Sequence, residues 1–194
     1  MYGQYIAAIN AEIQRNARKR MAFHPSKRRL EQKEAVINWV EGWESNFDLD
    51  VCFHVPKEMR VIQNGNGHEW LQKQLSAYFN IVEKELFKSI PVRQRQKLSR
   101  FIVLEHADSV GWHAHALIAT PDNCKQAQVC DVMRDIWERR VGQYCKDEFR
   151  QRLFWIRKSE FGYLNYCLKY VIENNDNANA VNKGIIDLEN TSRN

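Results

Sequence analysis

The sequence predicts an α+β fold, an antiparallel sheet with flanking helices, preceded by an N-terminal helical arm. Three observations lead there. Apolar and polar residues alternate over Leu49–Val55 as in a half-buried strand, whereas Leu71, Leu75, Tyr78, Phe79, Val82 and Leu86 keep a helical period. The two strands within Phe101–Thr120 are too close in sequence for a crossover helix, so they pair as a hairpin. The whole order, a helical arm and then β-α-β-β-α-β-α, interleaves hairpin-linked strands with helices and argues against a parallel doubly wound sheet.

The elements follow one another with identifiable stops. Tyr2, Tyr5, Ile6, Ile9 and Ile13 share a helical face, and Pro25 interrupts the pattern. Val36, Trp39, Val40 and Trp43 resume it, with Gly42 and Ser45-Asn46 marking the end. The strand from Leu49 stops at Pro56, Asn64-Gly65-Asn66-Gly67 reads as a turn, and Pro91 closes the helix that follows. Phe101–His106 is a nearly continuous apolar run suited to a central strand. Asp108-Ser109 with Gly111 turns the chain into Trp112–Thr120. Beyond Pro121, Val129, Met133, Ile136, Trp137 and Val141 line one side of a helix. Leu153–Arg157 is a further strand, and a last helix runs from about Ser159 to Glu173. The Asn-rich stretch Asn174–Asn182 reads as the start of a loose tail.

Composition narrows the function classes. Hydrophobic residues make up 44% of 194 and aromatics 11%, enough for a packed core, which excludes wholesale disorder. No run approaches the roughly 18–20 apolar residues of a membrane span, and the first thirty residues lack the apolar core of a secretion signal. Cys52, Cys124, Cys130, Cys145 and Cys167 form no C-x-x-C pair and read as reduced thiols, so an intracellular setting is expected. The net charge of +5 is modest, but its distribution is not even. Arg15, Arg18, Lys19, Arg20, Lys27, Arg28, Arg29 and Lys33 crowd the arm, and Arg93, Arg95, Lys97 and Arg100 form a second cluster. Such clusters suit a polyanion's phosphates, or equally a solvated helix face.

Two segments carry candidate chemistry. His113 and His115 stand two apart on a strand, so both imidazoles leave the same face roughly 6–7 Å apart and can share a divalent metal. Glu105 and His106 end the preceding strand across the turn. Parity puts Glu105 with Phe101 and Val103, and His106 with Ile102 and Leu104, without saying which set faces the histidines. Glu105 is the better third ligand, because a hard cation acting on phosphate favours an oxygen donor, and His106 is the second choice. In the last helix Phe161, Leu164, Leu168, Val171 and Ile172 form an apolar stripe, and Tyr163, Tyr166 and Tyr170 fall opposite it with Lys169 on the flank. A phenolic oxygen can attack phosphorus, and a lysine one turn away can stabilise the charge that develops. The tyrosines can also simply pack under the arm or stack on a partner.

Together these residues carry a resemblance. Glu105-His106-Ala107-Asp108-Ser109-Val110-Gly111-Trp112-His113-Ala114-His115-Ala116-Leu117 resembles the metal motif of the HUH endonucleases, with a small Ala114 where that family usually has a bulkier apolar residue. Tyr166-Cys167-Leu168-Lys169-Tyr170 is similar to their nucleophile motif, and its second tyrosine resembles the two-tyrosine rolling-circle replication initiators of small phages and plasmids. The resemblance spans roughly residues 47–175. It implies a ferredoxin/RRM-like sheet of about five antiparallel strands, with the histidines on a central strand and the tyrosine helix across the same face. The expected organisation is then a basic helical arm over 1–46, the nicking domain over 47–175 and a flexible tail over 176–194.

The implied activity is metal-dependent nicking and rejoining of single-stranded DNA at an origin duplex or hairpin, with a 5′-phosphotyrosine intermediate. The resemblance implies Mg²⁺ or Mn²⁺ on Glu105, His113 and His115, Tyr166 and Tyr170 as nucleophiles whose order is open, and Lys169 in support. The arm and the second basic cluster would hold the DNA backbone. No helicase domain follows the tyrosines, so a host helicase and polymerase are expected partners, in the bacterial cytoplasm and away from membrane. Two alternatives stay in view. One is a relaxase or single-strand transposase of the same superfamily, and the other is a non-catalytic DNA-binding autorepressor on this fold.

Overall fold

The computed structural model describes residues 25–42, 47–56, 67–88, 90, 97–107, 110–144, 152–159, 162–173 and 183–192. Strands β1 (Leu49–Phe53), β2 (Arg100–Ala107), β3 (Gly111–Ile118), β4 (Phe154–Lys158) and β5 (Lys183–Ile186) form one sheet in the order β4-β1-β3-β2-β5. Every neighbouring pair is antiparallel, and β3 lies in the middle. Helices α1 (Pro25–Glu41), α2 (Gly67–Leu86), α3 (Gln126–Val141), α4 (Tyr163–Cys167) and α5 (Lys169–Glu173) flank it. The α+β class and the sheet of five antiparallel strands are those expected. The expectations for Tyr2–Ile13, Arg15–Arg20, Trp43, Ser45-Asn46, Asn64–Asn66, Pro91, Arg93, Arg95, Asp108-Ser109, Cys145, Phe161 and Asn174–Asn182 lie outside the described residues.

Alternation along the strands divides the sheet into two unlike faces. On one face Leu49, Val51 and Phe53, with Ala114, Ala116 and Ile118, meet the apolar sides of α2 and α3 in the larger core. Phe53 sits among Tyr78, Trp137 and Phe154, its ring centroid 5.2, 4.9 and 5.3 Å from theirs in edge-to-face geometry. Tyr78 donates its hydroxyl hydrogen to the Met133 carbonyl at 2.9 Å, and Trp137 Nε1 donates to the Leu153 carbonyl at 3.0 Å. The buried polar atoms of these rings are thereby satisfied. Each large side chain buried here contributes about 1.5–3 kcal/mol, so this face holds the fold and leaves the other able to carry polar residues.

The second face has a smaller core at one end only. Phe101, Val103 and Leu117 pack with Val40 of α1 and with Tyr163, Cys167, Leu168 and Val171. Trp39 lies edge-on to Phe101 at 6.1 Å. Helix α1 therefore packs against the sheet, so the arm of the sequence reading is not set apart over this stretch. Its start at Pro25 fits the preference of proline, with its preset φ, for a first helical position.

Three expectations are corrected. Residues 183–192 are not a loose tail: β5 pairs with β2, and the Ser192 backbone exchanges two hydrogen bonds with Arg100 at 2.8 and 2.9 Å. Asp187, fully buried, accepts hydrogen bonds from Gln72 at 2.8 Å and Asn190 at 2.7 Å, which latches the segment to α2. Without this strand the edge of β2 would present unpaired backbone groups. Second, Arg100 is not available to DNA. It is 5% exposed, paired with Glu83, and donates to the Asn190 and Leu98 carbonyls at 2.6 and 2.9 Å. Third, Ser159 does not open the last helix. Its N–H donates to the Asp48 carbonyl and its hydroxyl to Asp50, which extends the sheet. The helix starts at Tyr163 behind Gly162, whose φ of 91° turns a corner that side chains other than glycine's disfavour.

Candidate metal centre and tyrosine site

Register builds the site. Glu105 pairs with His113 and Val103 with His115 across β2 and β3, so Glu105, His113 and His115 share the face away from the large core. Glu105 Oε1 lies 3.5 Å from His113 Nε2, and Oε2 lies 3.5 Å from His115 Nε2. One ligand atom from each residue falls within 4.8 Å of the other two. Donors bound about 2.0–2.2 Å from one tetrahedral cation stand roughly 3.4 Å apart, so the spacing matches. His106 points to the opposite face, its ring 5.3 Å from that of Trp112. Of the two residues that parity left open, Glu105 is thus the one on the histidines' face.

The second nitrogen of each histidine is tied down. His113 Nδ1 lies 3.0 Å from the Gly111 carbonyl, which can only accept, so the proton sits on Nδ1. His115 Nδ1 lies 3.0 Å from the Tyr163 hydroxyl, and that hydroxyl lies 3.2 Å from the Val51 carbonyl. Tyr163 therefore donates to Val51 and accepts from His115 Nδ1–H. Both Nε2 lone pairs are aimed at the site, as outer hydrogen bonds aim metal-binding imidazoles. Burial, with the neighbouring His113 adding to it, pulls the His115 pKa down to about 3, so the ring is neutral at ordinary pH.

Glu105 is 3% exposed. Burial works against its charge, but the adjoining imidazoles of His113 and His115 and the Lys169 ammonium outweigh it and hold the carboxyl below the usual range. Glu105 Oε2 and His115 Nε2 are nonetheless buried with no hydrogen-bond partner. Each such group costs about 1–3 kcal/mol when unmet, and one divalent cation between them would satisfy both. Two imidazole nitrogens and a carboxylate form a donor set that suits such an ion.

Lys169 joins this cluster to the tyrosines. Its Nζ is 3.3 Å from Glu105 Oε1, 3.5 Å from the centroid of the Tyr166 ring and 4.8 Å from that of Tyr170. Burial would lower its pKa, but Tyr166 and Glu105 raise it on balance, so the ammonium stays charged. The Tyr166 ring lies 5.3 Å from His115 and is 48% exposed. Tyr170 is half-buried on α5. Tyr163 departs from expectation: it is 7% exposed and belongs to the smaller core rather than to a tyrosine face. The cause is its hydroxyl, which the sheet satisfies through Val51 and His115, so the ring can be buried.

Sequence reasoning overlooked several members of the site. Tyr163 shares a helical face with Tyr166 and Tyr170 in the sequence, and nothing in the helical period marks a hydrogen bond to a histidine 48 residues away. His54, whose ring stacks on His113 at 5.5 Å, was visible only as the continuation of the polar set Asp48, Asp50 and Cys52. Gly184 lies opposite Glu105, and a Cβ there would meet the Val171 nitrogen at 2.5 Å and the Tyr170 carbonyl carbon at 2.8 Å. Its bare backbone lets the tyrosine helix sit beside the sheet, and the only signal was an isolated Lys-Gly-Ile-Ile run.

No protein-family model and no curated protein matches the chain. Among solved structures it is similar to the N-terminal nuclease domain of non-structural protein 1 from minute virus of mice, at 17% identity and a TM-score of 0.34. The likeness covers 66% of this chain and 72% of that one. That domain has Zn²⁺ coordinated in its active-site pocket and recognises DNA at the origin of replication.

Proposed function

We propose that this protein is a metal-dependent endonuclease that nicks and rejoins single-stranded DNA through a tyrosine, and so initiates rolling-circle replication of a phage or plasmid. One observation carries the reading. A buried carboxylate and two imidazoles present two unmet ligand atoms beside an exposed tyrosine, and a lysine touches both. A divalent ion held by Glu105, His113 and His115, Mg²⁺ or Mn²⁺, would supply Lewis-acid polarisation of the scissile phosphate.

The rest falls to the protein's own groups. Tyr166, open to solvent beside His115, is the nucleophile. Its phenolic oxygen bonds to phosphorus as the bond from phosphorus to the 3′-oxygen breaks. The phenol's proton goes to water, and the leaving oxygen takes one from water. A 5′-phosphotyrosine and a 3′-hydroxyl remain, and attack by that hydroxyl reverses the step and rejoins the strand. Lys169 offsets charge on the phenolate and the phosphate. Tyr170, farther along the same side, serves a second cut. A host helicase and polymerase in the bacterial cytoplasm would supply unwinding and synthesis.

The test is a denaturing gel of the protein incubated with a pool of single-stranded oligonucleotides and Mn²⁺. A covalent protein–DNA band is expected, lost with EDTA and with Tyr166→Phe. A band that survives Tyr166→Phe and disappears only with Tyr170→Phe would reverse the two roles. A band unaffected by EDTA or by replacing both histidines with alanine would remove the metal from the reaction.

A further inference from the structure

The same face of the sheet continues past the metal cluster to an edge strand that the proposed chemistry does not use. Cys52 pairs with His115 on one side and with Trp155 on the other, so Trp155 stands two strands from the histidines on their face. At about 4.8 Å between strands, β4 lies roughly 10 Å from β3. The Trp155 indole is 37% exposed, unusual for so large a ring in a strand already supplied with a core. Its centroid is 6.0 Å from Tyr163, and Tyr163 is 5.7 Å from Tyr166 and nearly parallel to it. Trp155 and Tyr166 are thus two exposed rings flanking a buried one. Arg157, two residues on, holds its guanidinium 4.5 Å over the Trp155 ring, with its Nε 3.7 Å from the fully buried Asp50 carboxylate.

A planar indole with a fixed cation above it, at the margin of a phosphate-directed site, matches the chemistry of an unstacked nucleotide. The aromatic plane takes a base, and the guanidinium takes a phosphate or caps the stack. We propose that Trp155 and Arg157 form a nucleotide subsite on β4 that holds single-stranded DNA next to the scissile phosphate. The proposal rests on the nicking reading for the identity of that phosphate, but the subsite itself needs neither metal nor reaction. A duplex cannot use it, because its bases are already stacked on one another. Charge complementarity agrees, with Arg157 at one side of the aromatic row and Lys169 at the other.

Binding in EDTA separates this subsite from catalysis. The probe is a fluorescein-labelled mixed-sequence single strand, with the same sequence as a duplex for comparison, followed by fluorescence anisotropy. Trp155→Ala should weaken single-strand binding roughly 10- to 100-fold and leave the duplex unchanged, while Trp155→Phe keeps most of the affinity. Arg157→Gln should lower the slope of log affinity against log salt by about one phosphate contact. Thermal melting confirms that each variant is folded, and Arg157→Gln carries the test if the alanine variant is not, an unchanged salt slope then overturning the subsite. An unchanged affinity in Trp155→Ala, equal losses on single strand and duplex, or no single-strand binding by the parent protein would each overturn the subsite. A protein that binds in this way yet forms no covalent band would retain the subsite and lose the nuclease.

Discussion

Tyr163 shows how a residue outside the reacting set can decide what the set does. Its hydroxyl accepts a hydrogen bond from His115 Nδ1–H and donates one to the Val51 carbonyl, which leaves the His115 Nε2 lone pair facing the site beside Glu105. Tyr163→Phe removes the acceptor and lets the imidazole rotate or change tautomer. The expected result is a fall of roughly 10- to 100-fold in Mn²⁺ affinity, read by isothermal titration calorimetry, with the protein still folded by circular dichroism. Unaltered Mn²⁺ affinity would reduce Tyr163 to a packing residue. Tyr166, three residues on, illustrates the opposite assignment. Its ring meets His115 and Lys169 but stays half in solvent, the exposure that the proposed attack on a DNA strand would need.

At the scale of elements, the site depends on how closely α5 approaches β5. Gly184 sits where the strand backbone meets the helix backbone at Tyr170 and Val171. Backbone atoms on both sides cannot swing away as a side chain can. Gly184→Ala should therefore push the two elements apart and cost about 1–3 kcal/mol, measured as a shift in the urea midpoint. The displacement falls on the helix that carries Tyr170 and Lys169, so the yield of covalent adduct should drop further than stability alone explains. Full adduct yield with unchanged stability would show that the approach is looser than the geometry implies. The hairpin of β2 and β3 is less demanding, because its register alone puts Glu105 opposite His113.

The whole molecule is closed by its last described strand. β5 covers the edge of β2, and Asp187, Asn190 and Ser192 tie that edge to α2 and to Arg100. A chain truncated after residue 176 loses these bonds together and leaves Arg100 with Glu83 beside an opened edge. Removing partners from buried polar groups costs about 1–3 kcal/mol each, and a bare edge strand invites pairing with another chain. The truncated protein should melt well below the parent and scatter light on concentration. If it melts with the parent and stays monodisperse, residues 183–192 are dispensable to the fold.

What the sequence determined by itself was local. The alternation in Leu49–Val55, the helical period of Leu71–Leu86 and the short hairpin through Gly111 are patterns of near neighbours. So is the pairing of His113 with His115 on one face. Each can be read because strand and helix periods place side chains without help from the rest of the chain. Tertiary structure decided whatever joined distant segments. It put Glu105 rather than His106 on the face of His113 and His115, because register depends on how the two strands meet. It turned Arg100 inward to Glu83, though a cluster of basic residues reads as solvent-facing. It buried Tyr163 by giving its hydroxyl two partners from the sheet, on β1 and β3. It also folded Lys183–Ile186 into the sheet, since a four-residue strand gains its stability from the edge that it covers rather than from any preference of its own.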